Sequence, residues 1–98
     1  MNELIGLVEQ WAERKGIHEG DGKTQTLKMM AEVGEFADEL AKGNRDGMVE
    51  ELGDVLVTII VTAQQLGFDP EYALRVAYDK ISKRKGTTVN GVFIKEEA

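Results

Sequence analysis

The chain has 98 residues, enough for one domain but near the lower limit at which a hydrophobic core forms without help. It has no cysteine, so neither a disulfide nor a thiolate-bound metal can supply that help. A formal charge of −6 argues against nucleic acid or an anionic membrane as the main partner. No signal peptide or bilayer-spanning apolar run is visible, so we expect a cytoplasmic protein with one domain over residues 1–98.

Apolar residues recur at helical spacing through the first half of the chain. The first helix is predicted over residues 2–15, with Asn2 as its N-cap. Residues 18–23 are rich in turn-forming types and are predicted to form a loop. The second helix is predicted over residues 24–42, and the Gly-Asn pair at 43–44 stops it. Either Asn44 or Asp46 can cap the helix that follows.

The third helix, predicted over residues 45–66, carries the broadest apolar pattern. The members of its expected buried face are Met48, Val49, Leu52, Val55, Leu56, Ile59, Ile60 and Ala63. A fourth helix should open at Asp69-Pro70 and end in Lys83-Arg84-Lys85-Gly86, with its cations at the C-terminal end. Residues 88–94 resemble a short hairpin, because Asn90-Gly91 suits a tight turn. These elements predict an all-α fold, a four-helix bundle with a short hairpin-like tail.

Two acidic pairs lie beside the apolar stripes of adjacent helices. They are Glu32-x-x-Glu35 in the second helix and Glu51-x-x-Asp54 in the third. A spacing of three places both members of a pair on one helical face, and a short turn makes the two helices antiparallel neighbours. Four clustered carboxylates repel one another unless they are protonated or bind cations. Oxygen ligands of this kind suit Mg²⁺ or Mn²⁺.

Two other interpretations of these pairs exist. A single E-x-x-E on a helix is usually a solvated face, and only the repetition in neighbouring helices favours a metal site. A di-iron carboxylate bundle requires a histidine three residues after a glutamate, and the single histidine, His18, lies in the predicted loop. The sequence therefore lacks the histidine ligands that the di-iron interpretation requires.

At these residues the sequence resembles the MazG-like family of all-α nucleoside triphosphate pyrophosphohydrolases. The resemblance rests on the E-x-x-E and E-x-x-D motifs and also includes Gln25-x-x-Lys28, Tyr78-Asp79, residues 84–86 and residues 90–93, so it covers most of the chain. The sequence departs from the family at Ala31, where a second glutamate is frequent, and at Asp79, where the family has asparagine.

The resemblance implies Mg²⁺-dependent hydrolysis between the α- and β-phosphates, giving a nucleoside monophosphate and pyrophosphate. The expected metal ligands are Glu32, Glu35, Glu51 and Asp54, and Glu35 is the candidate for contact with the attacking water. House-cleaning of non-standard or surplus (deoxy)nucleotides is the expected role. The alternatives are a catalytically inactive nucleotide-binding or regulatory oligomer and a phosphoribosyl-ATP pyrophosphohydrolase.

Several further side chains are candidates for substrate binding: Trp11, Lys28, Asp79, Lys80, Lys83 and Arg84. Lys28 lies one turn before Glu32, where an ordinary i,i+4 ion pair is the alternative. Trp11 can stack on a base, but a tryptophan on an apolar helix stripe is more often a core residue. The cations after the fourth helix can bind phosphate or form a solvated basic end, and Asp79 would need a metal or a sugar hydroxyl as its partner.

The small size of the chain and the broad apolar stripes of its third and fourth helices predict self-association. The family resemblance also points to a homodimer or homotetramer, with a site completed at the subunit interface.

Overall fold

A computed structural model of the chain describes residues 2–96, which form four α-helices and a two-stranded antiparallel sheet. The elements are α1 (Asn2–Arg14), a 3₁₀ helix (Ile17–Glu19), α2 (Gly22–Lys42), α3 (Arg45–Leu66), α4 (Pro70–Ile81), β1 (Gly86–Val89) and β2 (Val92–Lys95). Within the described residues, no helix combines the length and the apolar character needed to cross a bilayer. The predicted helical fold with a C-terminal hairpin is confirmed.

The start of α2 lies two residues before the predicted position. The carboxylate of Asp21 accepts a hydrogen bond from the backbone N–H of Lys23 at 3.1 Å and so acts as the N-cap. Gly22 is buried in the first turn, and a Cβ atom there would lie 2.6 Å from Cδ2 of Leu66. The predicted loop over residues 18–23 is therefore shorter, because a 3₁₀ turn and this first helical turn occupy part of it.

Side-chain caps also begin the next two helices. Asn44 Oδ1 accepts the N–H of Gly47 at 3.2 Å at the start of α3, and Asp69 Oδ1 accepts the N–H of Glu71 at 2.9 Å at the start of α4. Both starts agree with the prediction. The predicted cap of the first helix, Asn2, concerns a side chain outside the described part of the chain.

The predicted end of the fourth helix is wrong. The helix stops at Ile81, and Ser82 Oγ donates to the carbonyl of Asp79 at 3.1 Å. The following residues enter the hairpin, where Gly86 pairs with Lys95. The basic residues 83–85 consequently lie in the connection between α4 and β1, since hairpin pairing competes with further helix.

The hairpin turn has the predicted geometry. Asn90 and Gly91 have φ values of 51° and 77°, the left-handed conformation that a tight two-residue hairpin turn requires at both central positions. Val89 and Val92 pair directly across this turn. The hairpin extends over residues 86–95, beyond the predicted 88–94, and no residue of either strand is buried.

The core of the described chain is small and is centred on α3. Its buried apolar members are Ala12, Val55, Ile60 and Val61. Two buried hydroxyls, those of Thr58 and Thr62, donate to helix carbonyls at 2.7 Å, so their burial leaves no unmade hydrogen bond. α3 contacts α1, α2, α4 and the 3₁₀ helix and is the central element.

The prediction that the whole apolar face of α3 is buried is wrong for the single chain. Val49 is 67% exposed, and Leu52, Leu56 and Ile59 are also exposed. The chain presents 7649 Å² of surface, whereas a compact monomer of 10.8 kDa presents about 5,500 Å². Its radius of gyration is 16.1 Å, against about 12.6 Å for a compact domain of this length. One layer of helices leaves part of each apolar stripe uncovered.

Candidate metal centre

Helices α2 and α3 bring the two acidic pairs together. The two helices form the most extensive helix–helix contact and are joined by the turn at Gly43, whose φ is 71°. One carboxylate oxygen each from Glu32, Glu35 and Glu51 lies within 4.8 Å of the other two. Opposite ligands of an octahedral Mg²⁺ stand about 4.2 Å apart, so small side-chain movements would close this group around an ion.

The fourth predicted ligand, Asp54, is exposed and lies outside this group of three oxygens. It lines the same cavity as Glu32, and its charge raises the pKa values of both Glu32 and Glu51. The structure therefore places Asp54 beside the centre.

Two oxygen atoms in the centre are buried and have no hydrogen-bond partner: Oε2 of Glu32 and Oε2 of Glu51. Burying a carboxylate oxygen without a hydrogen-bond donor costs folding free energy. Among the residues that the structure describes, no lysine or arginine forms an ion pair with Glu32 or Glu51. The donor set is made of oxygen alone, which suits a hard divalent cation. The residues present thus fit a metal ion.

Burial and mutual repulsion perturb the acidity of the centre. Burial, then the charge of Glu35 and a hydrogen bond with it, raise the pKa of Glu51 to about 7, and Asp54 and Glu32 contribute further repulsion. Without a cation, the cluster holds a proton close to neutral pH. A divalent ion would replace that proton.

The pKa of Glu32 is raised by the same causes. Burial is the largest, followed by the hydrogen bond with Glu35 and by the charges of Glu35 and Asp54, whereas the charge of Lys28 lowers it. Glu35 thus contributes to the raised pKa of both half-buried glutamates, and one of its oxygens lies within 4.8 Å of an oxygen from each. This central position fits the residue predicted to contact the water.

A cavity of about 250 Å³ adjoins the carboxylates between α1, α2 and α3. Its polar lining comes from Gln25, Lys28, Glu32, Asp54 and Thr58, and Trp11 contributes an aromatic wall. The structure therefore brings two predicted substrate residues, Trp11 and Lys28, to the predicted metal ligands. The cleft thus combines an aromatic surface, which can stack on a base, a cation, which can bind a phosphate, and carboxylates, which can hold a metal ion.

A second, more apolar cavity of about 390 Å³ shares Trp11, Asp54 and Val57 with the first. Its remaining lining is aliphatic and comes from α1: Leu4, Leu7 and Val8. Trp11 is 39% exposed. The tryptophan therefore lies between the two cavities, and the alternative that it belongs to the buried core is wrong for the single chain.

The other predicted substrate residues lie in a different part of the chain. Arg84 lines a cavity of about 560 Å³ together with Tyr78, Ile81, Ser82 and Phe93. The side chains of three more are exposed: Asp79, Lys80 and Lys83. Their contact with substrate stays a prediction.

Gln25 and Thr58 line the cavity but were not among the predicted site residues. The spacing of the residues could have indicated that Gln25 belongs to the site, because Gln25, Lys28 and Glu32 follow one another at intervals of three and four on one face of α2. Thr58 likewise follows Asp54 by four residues on α3.

A model of the MazG nucleotide pyrophosphohydrolase domain matches residues 21–89, a segment that contains all four carboxylates. An uncharacterized 18.2 kDa protein from the rep-hol intergenic region of Haemophilus phage HP1 is 33% identical over 70 residues. That match covers 70% of this chain and 43% of the phage protein, so the chain spans less than half the length of this relative. No solved structure matches. The family match extends over more than half of the 98 residues, and the chain therefore belongs to the MazG nucleotide pyrophosphohydrolase family.

Proposed function

We propose that the chain hydrolyses (deoxy)nucleoside triphosphates between the α- and β-phosphates, releasing a nucleoside monophosphate and pyrophosphate. The observation that carries this proposal is the convergence of two partnerless buried carboxylate oxygens, from Glu32 and Glu51, beside a cleft that holds Trp11 and Lys28. Membership of a pyrophosphohydrolase family supports the same reaction class.

Glu32, Glu35, Glu51 and Asp54 would hold the divalent ion, Mg²⁺ or Mn²⁺. Bound there, the ion would supply positive charge against the phosphoryl oxygens of the triphosphate. The raised pKa values of Glu32 and Glu51 indicate that a cation must displace protons before the centre is fully charged.

Glu35 orients the attacking water and accepts its proton. The water oxygen forms a bond to the α-phosphorus while the bond from that phosphorus to the bridging oxygen breaks, and pyrophosphate leaves with the electron pair. Glu35 suits this role because it is exposed, whereas the two glutamates next to it are half-buried. It can therefore reach both the centre and solvent.

Lys28 and Trp11 bind the two ends of the substrate. The ammonium group of Lys28 lowers the pKa of Glu32, so it acts electrostatically on the centre and would act in the same way on a phosphate. Trp11 offers a partly exposed ring on which a base can stack. Arg84 is proposed as a further phosphate contact because it matches a position of the family pattern, and Lys80 and Lys83 are proposed because they are cations near the end of α4. Asp79 is proposed as a contact to a metal or a sugar hydroxyl.

House-cleaning of non-standard or surplus nucleotides by a homodimer or homotetramer is the proposed cellular role. The extended surface of the single chain supports self-association, since it exceeds the surface of a compact monomer of this mass by about 2,100 Å².

The test is pyrophosphate release from a panel of canonical, deoxy and modified nucleoside triphosphates, with phosphoribosyl-ATP included. We expect turnover with Mg²⁺ and none after chelation with EDTA. Turnover of phosphoribosyl-ATP alone would move the proposal to that reaction. Binding of nucleotide without pyrophosphate release on any substrate, by folded protein, would identify an inactive nucleotide-binding oligomer instead.

A further inference from the structure

Two adjacent glutamines near the end of α3 form hydrogen bonds to the backbone of the segment before α2. Nε2 of Gln64 donates to the carbonyl of Glu9 in α1 at 3.1 Å. Nε2 of Gln65 donates to the carbonyl of Ile17 in the 3₁₀ helix at 2.9 Å. The bonded residues are 55 and 48 positions apart in the chain, so these two amides connect elements that no local turn holds together.

The two bonded carbonyls lie on either side of Trp11 along the chain. Glu9 precedes the tryptophan by two residues, and Ile17 follows it and lines the same cavity of about 250 Å³. Ala12, the neighbour of Trp11, is fully buried, whereas Leu4 at the other end of α1 is 63% exposed. The part of α1 that carries the tryptophan is thus the part that is fixed to α3.

The amides are not needed to satisfy the backbone to which they bind, at least at Ile17. Its carbonyl already accepts the N–H of Gly20 at 2.9 Å. The fit is close, because a Cβ atom at Gly20 would lie 2.8 Å from Nε2 of Gln65. Oε1 of Gln64 and Oε1 of Gln65 are both buried without a hydrogen-bond partner among the described residues. An apolar side chain of similar length would avoid that cost, so packing alone does not explain an amide at either position.

One face of α3 carries both the lining of the cavity and the second amide. Asp54, Thr58 and Val61 line the cavity, and Gln65 continues the same series at intervals of four, three and four. A single helix therefore holds one wall of the cleft and fixes the position of the opposite wall, which contains Trp11.

We propose that Gln64 and Gln65 are positioning residues that hold Trp11 at the distance from the carboxylate centre at which it binds substrate. This inference rests on the proposed function, in which Trp11 stacks on the base. Loss of either amide would let α1 and the 3₁₀ helix shift against α3 and would weaken substrate binding. The carboxylates lie on α2 and α3, so the chemical step should keep its rate.

The first test is a kinetic comparison of Gln64→Met and Gln65→Met. Methionine has a similar length and a high helix propensity but lacks the N–H donor. We expect KM for the best nucleotide of the panel to rise about 3–10-fold, with kcat and the Mg²⁺ requirement unchanged. The matched control is Gln10→Met, which alters an exposed glutamine next to Trp11 and should leave KM unchanged. An equal fall in kcat, or loss of helicity measured by circular dichroism, would assign the amides a structural role and overturn the proposal.

A double-mutant cycle tests whether Gln64 acts through the tryptophan. In a Trp11→Ala background, Gln64→Met should raise KM no further, because the ring that the amide positions is already absent. Gln65→Met should behave in the same way. Full additivity of the two substitutions in either cycle would contradict the proposed coupling.

A third measurement does not depend on turnover. Trp11 is the single tryptophan of the chain, so acrylamide quenching of its fluorescence reports its accessibility alone. We expect the quenching constant to be at least about 1.5-fold higher in both α3 variants than in the wild type and in Gln10→Met. Unchanged quenching would overturn the positioning role, whereas a folded wild type without activity on any nucleotide would overturn only the proposed function.

Discussion

The helical body, residues 2–69, and the C-terminal arm, residues 70–95, differ in which of their groups lack a partner. The body holds a small core, yet it places acidic groups at the edge of that core, where two carboxylate oxygens have no hydrogen-bond partner. The arm contains regular helix and hairpin but buries no residue. The body therefore contains more charge than its core tolerates without a cation, and the arm contains more apolar surface than one chain can cover. The body lacks a cation, and the arm lacks a surface that covers its apolar side chains. A single chain supplies neither.

The largest expected effect is a loss of activity at the carboxylate centre without a change in oligomeric state. Glu51→Gln removes one carboxylate of the centre and should reduce kcat by about 10²–10⁴-fold, while the mass in light scattering stays that of the wild type. The matched control is Glu50→Gln, because Glu50 is the exposed neighbour of Glu51 and lies outside the three-oxygen group. If both variants lose activity alike, the centre does not have the proposed composition.

A smaller effect is expected at the cleft between the two cavities. Trp11→Ala should raise KM about 10-fold with a modest change in kcat, because base stacking on an aromatic side chain contributes about 1–3 kcal/mol. Trp11→Phe retains an aromatic face and should recover most of the loss. A normal KM in Trp11→Ala would assign the tryptophan to packing.

The smallest effect concerns the stability of the metal-free protein as pH changes. Glu51 has a pKa of about 7 in the folded chain and an ordinary value of 4.5 when unfolded, so the folded state binds the proton more tightly. This contribution to stability is fully present below about pH 4.5 and is lost as pH rises through about 7. The melting temperature in EDTA should therefore fall across this window.

Glu51→Gln provides the control for that measurement, since an amide does not titrate. Its melting temperature should fall less between pH 5 and pH 8 than that of the wild type. Identical slopes for the two proteins would show that Glu51 does not hold the proton. Added Mg²⁺ should stabilise the wild type more at pH 8 than at pH 5, because ions and protons compete for the same oxygens.

Local features of the fold could be predicted from the sequence because they depend on neighbouring residues. The caps Asn44 and Asp69 and the turn at Asn90-Gly91 lie where short-range geometry alone requires them. The convergence of Glu32, Glu35 and Glu51 was also predictable, since a two-residue connection forces adjacent helices to pack antiparallel.

Features that depend on contacts between distant residues or on other molecules were not predictable in the same way. The end of α4 at Ile81 depends on pairing between Gly86 and Lys95, which helical periodicity does not report. The exposure of Val49 depends on which surfaces meet, and apolar spacing on a helix cannot distinguish a core from an interface. Gln25 was missed because a glutamine has no distinctive chemistry until a cavity forms around it.

The turn between α2 and α3 has a consequence for how this protein tolerates change. Asn44 uses both ends of its amide there: Oδ1 accepts from Gly47, and Nδ2 donates to Oε2 of Glu39 at 2.8 Å. The carboxylates of α3 follow soon after, so a single residue inserted between this turn and Glu51 would rotate them by about 100° around the helix axis. Such an insertion would separate the two acidic pairs while leaving all four carboxylates in the sequence, so the spacing between the pairs constrains the motif as strictly as the identity of its acidic residues.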